Sequence, residues 1–136
     1  MFGKVHSKPK NRIDSLIGAE TKIEGNISFS GGLRVDGEIN GNIIAVPGQS
    51  SMLVLSEHGR VNGEISVTHL VVNGVVDGPV RAADYLELQS KAKVTGNVHY
   101  KTLEIQLGAV VEGRLIHLTE AVSEKVVAFK LSSGTD

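Results

Sequence analysis

The chain has no cysteine and no tryptophan, only 3 prolines, and aromatic residues make up 4% of it. Without cysteine there is no disulfide framework, no thiolate metal site and no thiol nucleophile. The lack fits a reducing compartment. No stretch approaches the about 18 consecutive apolar residues of a membrane span. The opening residues, Met1 to Lys10, are charged but have no apolar run behind them, so they do not read as a secretory signal. The cytoplasm is the expected address. Net charge is also small, at −1. It is unevenly spread, because Lys4, Lys8, Lys10 and Arg12 precede the first acid. A mildly acidic body behind a basic tail lacks the basic face of a nucleic-acid-binding domain, and no nucleic-acid partner is expected.

Glycine and β-branched residues are abundant. The 136 residues hold 16 glycines and 34 Val, Ile and Thr, a quarter of the chain. This mix favours strands joined by tight turns and argues against a helical bundle. The length suits one domain.

The strongest signal is an internal repeat. An apolar-x-Gly-x-apolar unit appears as Ile23-Glu24-Gly25-Asn26-Ile27 and Ile39-Asn40-Gly41-Asn42-Ile43. It returns as Val61-Asn62-Gly63-Glu64-Ile65 and Val76-Asp77-Gly78-Pro79-Val80. It ends as Val94-Thr95-Gly96-Asn97-Val98 and Val111-Glu112-Gly113-Arg114-Leu115. The glycine steps are 16, 22, 15, 18 and 17 residues. The long step contains Val46-Pro47-Gly48-Gln49-Ser50, which reads as a loop inserted between repeats. A parallel series, Leu16, Leu33, Leu53, Leu70, Leu86 and Leu103, opens an alternating apolar segment each time. Together they predict six rungs of about 17 residues.

Within a rung the apolar period is two, which means strand with one buried face. Glycines at inward positions fit places where backbones converge and no side chain has room. A rung this short cannot hold a helical crossover, but it suits three short strands and three corners. Stacking such rungs gives an all-β parallel β-helix, a solenoid about 29 Å long at about 4.8 Å per rung. Ile27/Phe29, Ile65/Val67, Val80/Ala82 and Val98/Tyr100 are the expected inward pairs of the third strand. A last strand is expected within Ala121–Leu131, where Val127, Phe129 and Leu131 alternate. The expected organisation is a basic flexible tail over 1–14, the β-helix over 15–131 and a short flexible tail over 132–136.

A solenoid ends in open strand edges, which must be covered or will pair with another chain. No amphipathic capping helix precedes Leu16, so end-to-end association is expected.

The rung Leu33-Arg34-Val35-Asp36-Gly37-Glu38-Ile39-Asn40-Gly41-Asn42-Ile43, repeated as Leu70 to Val80, resembles those of the bactofilins, polymer-forming bacterial cytoskeletal proteins. The resemblance covers roughly Leu16 to Leu118. It implies a right-handed, three-sided β-helix that assembles end to end, without nucleotide or cofactor, into non-polar filaments. The end rungs then supply the polymerisation interface: Leu16, Ile17, Ile23 and Ile27 at one end, Leu103, Ile105, Val111 and Leu115 at the other. Many family members carry an aromatic where this chain has Val111, and Phe129 is the expected substitute. The family often begins Met-Phe-x-Lys, as here. The resemblance therefore implies inner-membrane contact through Met1, Phe2, Lys4, Lys8 and Lys10. It also implies roles in cell shape and a peptidoglycan-modifying enzyme as partner.

The alternative is a left-handed hexapeptide-repeat enzyme, an acyltransferase or a zinc carbonic anhydrase-like trimer. His69, His99 and His117 are its candidate zinc ligands. However, no carboxylate stands at a suggestive spacing, alternation points His99 outward and His117 inward, and the steps are not a steady 18. The chain also lacks a Ser/His/Asp grouping, a phosphate loop and the Asp-rich nonapeptides of calcium β-rolls. No enzyme activity is expected. The asparagines read as corner residues that bond their own backbone.

Overall fold

Alternation of apolar and polar residues sets the strands, and glycine or asparagine ends about half of them, as at Gly25, Asn40, Asn62, Gly78, Gly96 and Gly113. A computed structural model describes residues 12–119, and among them every regular element is a β-strand. The first rung holds β1 (Ser15–Ile17), β2 (Lys22–Glu24) and β3 (Ile27–Phe29). The second holds β4 (Gly31–Val35), β5 (Glu38–Asn40) and β6 (Ile43–Ala45). Next come β7 (Ser51–Leu55), β8 (Arg60–Asn62) and the start of β9 (Ile65–Val72). The fourth rung joins the rest of β9 to β10 (Val75–Asp77) and the start of β11 (Val80–Leu88). The rest of β11, β12 (Lys93–Thr95) and β13 (Val98–Tyr100) make the fifth. The sixth is β14 (Leu103–Ile105), β15 (Val110–Glu112) and β16 (Leu115–His117). The described residues form a parallel β-solenoid of six turns. The strand expected within Ala121–Leu131 lies outside the described residues.

Every pairing is parallel and joins one rung to the next, in three stacks. Five of the six leucines in the sequence series share one column, Leu33, Leu53, Leu70, Leu86 and Leu103. Leu16 does not belong to it. Ser15 pairs with Leu33, and Leu16 pairs with Arg34 in the outward column, where it is 60% exposed. A leucine on the open side of an end rung mimics the period without facing the core.

Four further columns build the interior. One runs Ile17, Val35, Leu55, Val72, Leu88, Ile105. Another runs Ile23, Ile39, Val61, Val76, Val94, Val111. A third runs Ile27, Ile43, Ile65, Val80, Val98, Leu115. The fourth includes the pair Phe29 and Ala45, then Val67, Ala82, Tyr100 and His117. The expected third-strand pairs all fall in these last two columns.

Side by side in rungs about 4.8 Å apart, identical residues meet. Any Cβ on Gly41, Gly63, Gly78, Gly96 or Gly113 would run into the carbonyl of the previous rung's glycine. The asparagines act across rungs rather than on their own backbone. Asn26 Oδ1 accepts the Asn42 N–H at 2.9 Å, Asn42 Oδ1 the Glu64 N–H at 2.9 Å and Asn97 Oδ1 the Arg114 N–H at 3.1 Å. They satisfy corner N–H groups that the strand ladders leave over.

Candidate assembly interfaces at the two ends

The fully buried apolar side chains run from Leu33 to Val98. Among the described residues, rungs two to five thus hold the dry core, and the first and last rungs contribute only partly buried or exposed apolar groups. At the first rung Ile17, Ile23, Ile27 and Phe29 pack on the core from one side. At the sixth, Leu103, Ala109 and Val111 do the same. Ile105, Val110 and Leu115 are 47%, 44% and 45% exposed. Three of the five interior columns, Ile17 to Ile105, Ile23 to Val111 and Ile27 to Leu115, therefore end in a partly covered or exposed apolar side chain at both ends, while the leucine column closes on Ser15 at the first rung and the fourth on His117 at the sixth.

The backbone shows the same incompleteness. Among the described residues, β1, β2 and β3 have neighbours on one side only, and so do β14, β15 and β16. Each end presents three strand edges around an apolar centre. Parallel edges of this kind carry N–H and C=O groups in line for a further strand.

Short segments complete each end. Before β1, the Asp14 N–H donates to the Gly32 carbonyl at 2.9 Å, and Asp14 Oδ2 accepts the Gly32 N–H at 2.9 Å. That N–H, with the Arg12 guanidinium at 3.1 Å, holds the Asp14 carboxyl below its ordinary range. Gly32 has no room for a side chain because the Arg12 carbonyl lies over it. After β14, the turn Gln106-Leu107-Gly108-Ala109 closes through the Ala109 N–H on the Gln106 carbonyl. It leaves Leu107 96% exposed.

Of the predicted interface residues, Ile17, Ile23, Ile27, Leu103, Ile105, Val111 and Leu115 all end interior columns, and Leu16 lies on the outer surface of the first rung. Phe129 and the tail residues Met1, Phe2, Lys4, Lys8 and Lys10 lie outside the described residues. Ile13, Leu107 and Val110 were missed. A signal for two of them was available. The equivalent turn position is Glu57 or Ser90 in earlier rungs, and the column of Val110 is charged in four of the other five rungs, at Lys22, Glu38, Arg60 and Lys93, with Val75 the exception.

The histidines do not assemble. His69 sits opposite Met52 and Tyr85, with Nδ1 3.0 Å from Thr68 Oγ1. His99 pairs with Arg81 and Ile116 in an outward column. His117 packs edge-on against Tyr100 at 5.6 Å. Among the described residues no three His, Cys, Asp or Glu are grouped as metal ligands, and no helix is long and apolar enough to cross a membrane.

A family model described as "Bactofilin: Polymer-forming cytoskeletal" matches residues 15–116, from the first residue of β1 into β16. The chain belongs to the bactofilin family. Bactofilin BacP of Myxococcus xanthus is 26% identical over 109 residues, 80% of this chain but 44% of BacP. Bactofilin BacO of the same organism is 26% identical over 102 residues, 75% of this chain and 78% of BacO. The chain spans less than half the length of BacP. No solved structure matches it. As a bactofilin it is a polymer-forming cytoskeletal protein, and six stacked rungs with apolar, edge-bearing ends are a form suited to self-association.

Proposed function

We propose that this bactofilin assembles end to end, without nucleotide, into non-polar filaments on the inner face of the cytoplasmic membrane. It acts there as a structural scaffold for cell shape and for placing peptidoglycan-modifying enzymes, not as an enzyme itself. The observation that carries the reading is that three interior columns stop at both ends in apolar side chains left partly covered or exposed. Full burial of a large apolar side chain is worth about 1.5–3 kcal/mol, so each half-exposed end residue retains roughly 1 kcal/mol to gain from a second rod.

Non-polar filaments need each end to match itself, an isologous contact. Both ends are apolar enough to do so. A polar stack would lay Asn26 over Arg114, whose side chain has only donors. It could not accept the Asn26 N–H as Asn97 accepts that of Arg114.

Membrane placement rests on the tail. Phe2 offers an apolar anchor, and each of Lys4, Lys8 and Lys10 adds about 1 kcal/mol near anionic lipid. One tail binds weakly, but a filament presents many at once. Negative-stain electron microscopy of the purified, nucleotide-free protein tests the assembly reading. Thin filaments are expected, and uniform small particles would refute it.

A further inference from the structure

The repeat is interrupted once, between β6 and β7, where Val46–Ser50 turn through Pro47 and Gly48, the latter at φ +86°. A reciprocal link pins the far end of this insertion. The Ser51 N–H donates to Thr68 Oγ1 at 2.7 Å, and the Thr68 N–H donates to Ser51 Oγ at 3.0 Å. The Thr68 hydroxyl also donates to the Ser51 carbonyl at 2.7 Å. Ser51 is buried by this contact. The insertion is thus held upright beside the third stack of strands.

Between them lies a groove of about 220 Å³, whose lining includes Ile44, Val46, Pro47, Val67, Ala83 and Arg81. Ile44 and Val46 are 38% and 36% exposed, so the groove opens an apolar patch to water. Its cation is uncompensated. Arg34 is met by Asp36, Arg60 by Asp77 and Lys91 by Glu57. Among the described residues the Arg81 side chain, on the paired strand β11, makes no hydrogen bond or ion pair. It stands in the outward column between Ser66 and His99.

We propose that this groove is a docking site for an extended peptide of a partner protein, carrying one large apolar side chain and a carboxylate within two residues of it. Insertions confined to one face of a solenoid build binding surfaces. The volume admits one large side chain, the kind of anchor that dominates small interfaces. The guanidinium beside it selects a carboxylate, which it can hold with two parallel hydrogen bonds. An acidic partner is favoured over a basic one on the same ground. The groove belongs to rungs two to four, so it stays open when both ends of the rod are occupied. A polymer would then display one groove per subunit, and a partner with two such peptides would gain by effective concentration.

The test is to pan a displayed random-peptide library against the full-length chain and measure the enriched peptides by fluorescence anisotropy. The expected result is a set of peptides with Asp or Glu next to Leu, Ile or Phe. Arg81→Glu should weaken them about tenfold or more, and exchanging the peptide acid for Lys should restore binding to that variant. Val46→Asp should also weaken them. Both side chains lie at the surface, and unchanged circular dichroism confirms that the fold is kept. Failure to enrich any peptide, or binding indifferent to both substitutions, overturns the proposal. So does a photocrosslinker on Val46→Cys that joins two copies of the chain, or the groove to residues 120–136, because the groove then has another occupant.

Discussion

The carbonyl of Gly41 fills the space that a side chain at Gly63 would need. Gly63 also has φ +155°, outside the range L-residues favour. Both facts follow from backbones stacked one rung apart at a corner. Gly63→Ala is expected to cost about 2 kcal/mol or more, from strain and from displaced backbone together. Gly18→Ala is the control. A Cβ there meets nothing within 4 Å and its φ is ordinary. It should leave stability unchanged or raise it by up to about 1 kcal/mol. Urea unfolding of both variants checks this, and equal midpoints would remove the glycine column as a determinant of the rung.

Leu107 is 96% exposed in a chain whose other leucines in the described rungs mostly line the core. It contributes little to the fold of a single rod. Leu107→Ser should therefore leave the unfolding transition of dilute protein within about 0.5 kcal/mol of the parent. It should instead raise the concentration at which polymer forms, as read by sedimentation. A fall in stability with unaltered assembly would place Leu107 in the fold and not at the interface.

A charge inside an end rung tests the same surface more severely. Val111→Arg or Leu103→Arg puts an unpaired cation at the apolar centre of the sixth rung, where a second rod would have to desolvate it. Filaments should be lost. Glu64→Arg makes a larger charge change on the exposed side of the third rung and should leave filaments intact. Normal filaments from the end-rung variants would sink the end-to-end model.

The rung count and the inward columns were legible because an inward position recurs wherever the backbone converges, and glycine or leucine marks it. Leu16 misled for a physical reason. An apolar residue on the outer surface of a terminal rung has the same spacing as one in the core, and only the pairing of Ser15 with Leu33 distinguishes them. The Ser51–Thr68 link was not legible, since two small polar residues 17 apart carry no pattern until the chain is wound. Asn26, Asn42, Asn73 and Asn97 stand at corners as expected, but Asn40 and Asn62 are the last residues of strands, and all six bond across to a neighbouring rung.

The basic tail is predicted to be an anchor and not an assembly element. Its residues precede the first rung, so removing Met1–Lys10 should leave filaments of normal appearance. The same truncation should release them from anionic lipid vesicles, because each filament loses all its Phe2 and Lys contacts together. Co-sedimentation with vesicles reads the outcome. Unchanged binding would assign membrane contact to the rod itself.

Tyr85 ties the last two rungs together, and this makes the C-terminal end sensitive to alkali. Its hydroxyl donates to Glu104 Oε1 at 2.8 Å, from β11 to β14. The Glu104 carboxylate holds the phenol proton, and burial and the charge of Glu87 add to this, so the pKa is pushed up to about 12. The folded chain thus binds that proton more tightly than the unfolded chain, whose tyrosine titrates near 10. The contribution is complete below pH 10 and is lost as pH rises through about 12. A phenolate there faces two carboxylates and should free β14, which carries Leu103 and Ile105. Thermal unfolding measured across that window should fall more steeply in the parent than in Tyr85→Phe, which has no proton to lose. Parallel decline in the two proteins would show that the Tyr85–Glu104 bond does not hold the sixth rung in place.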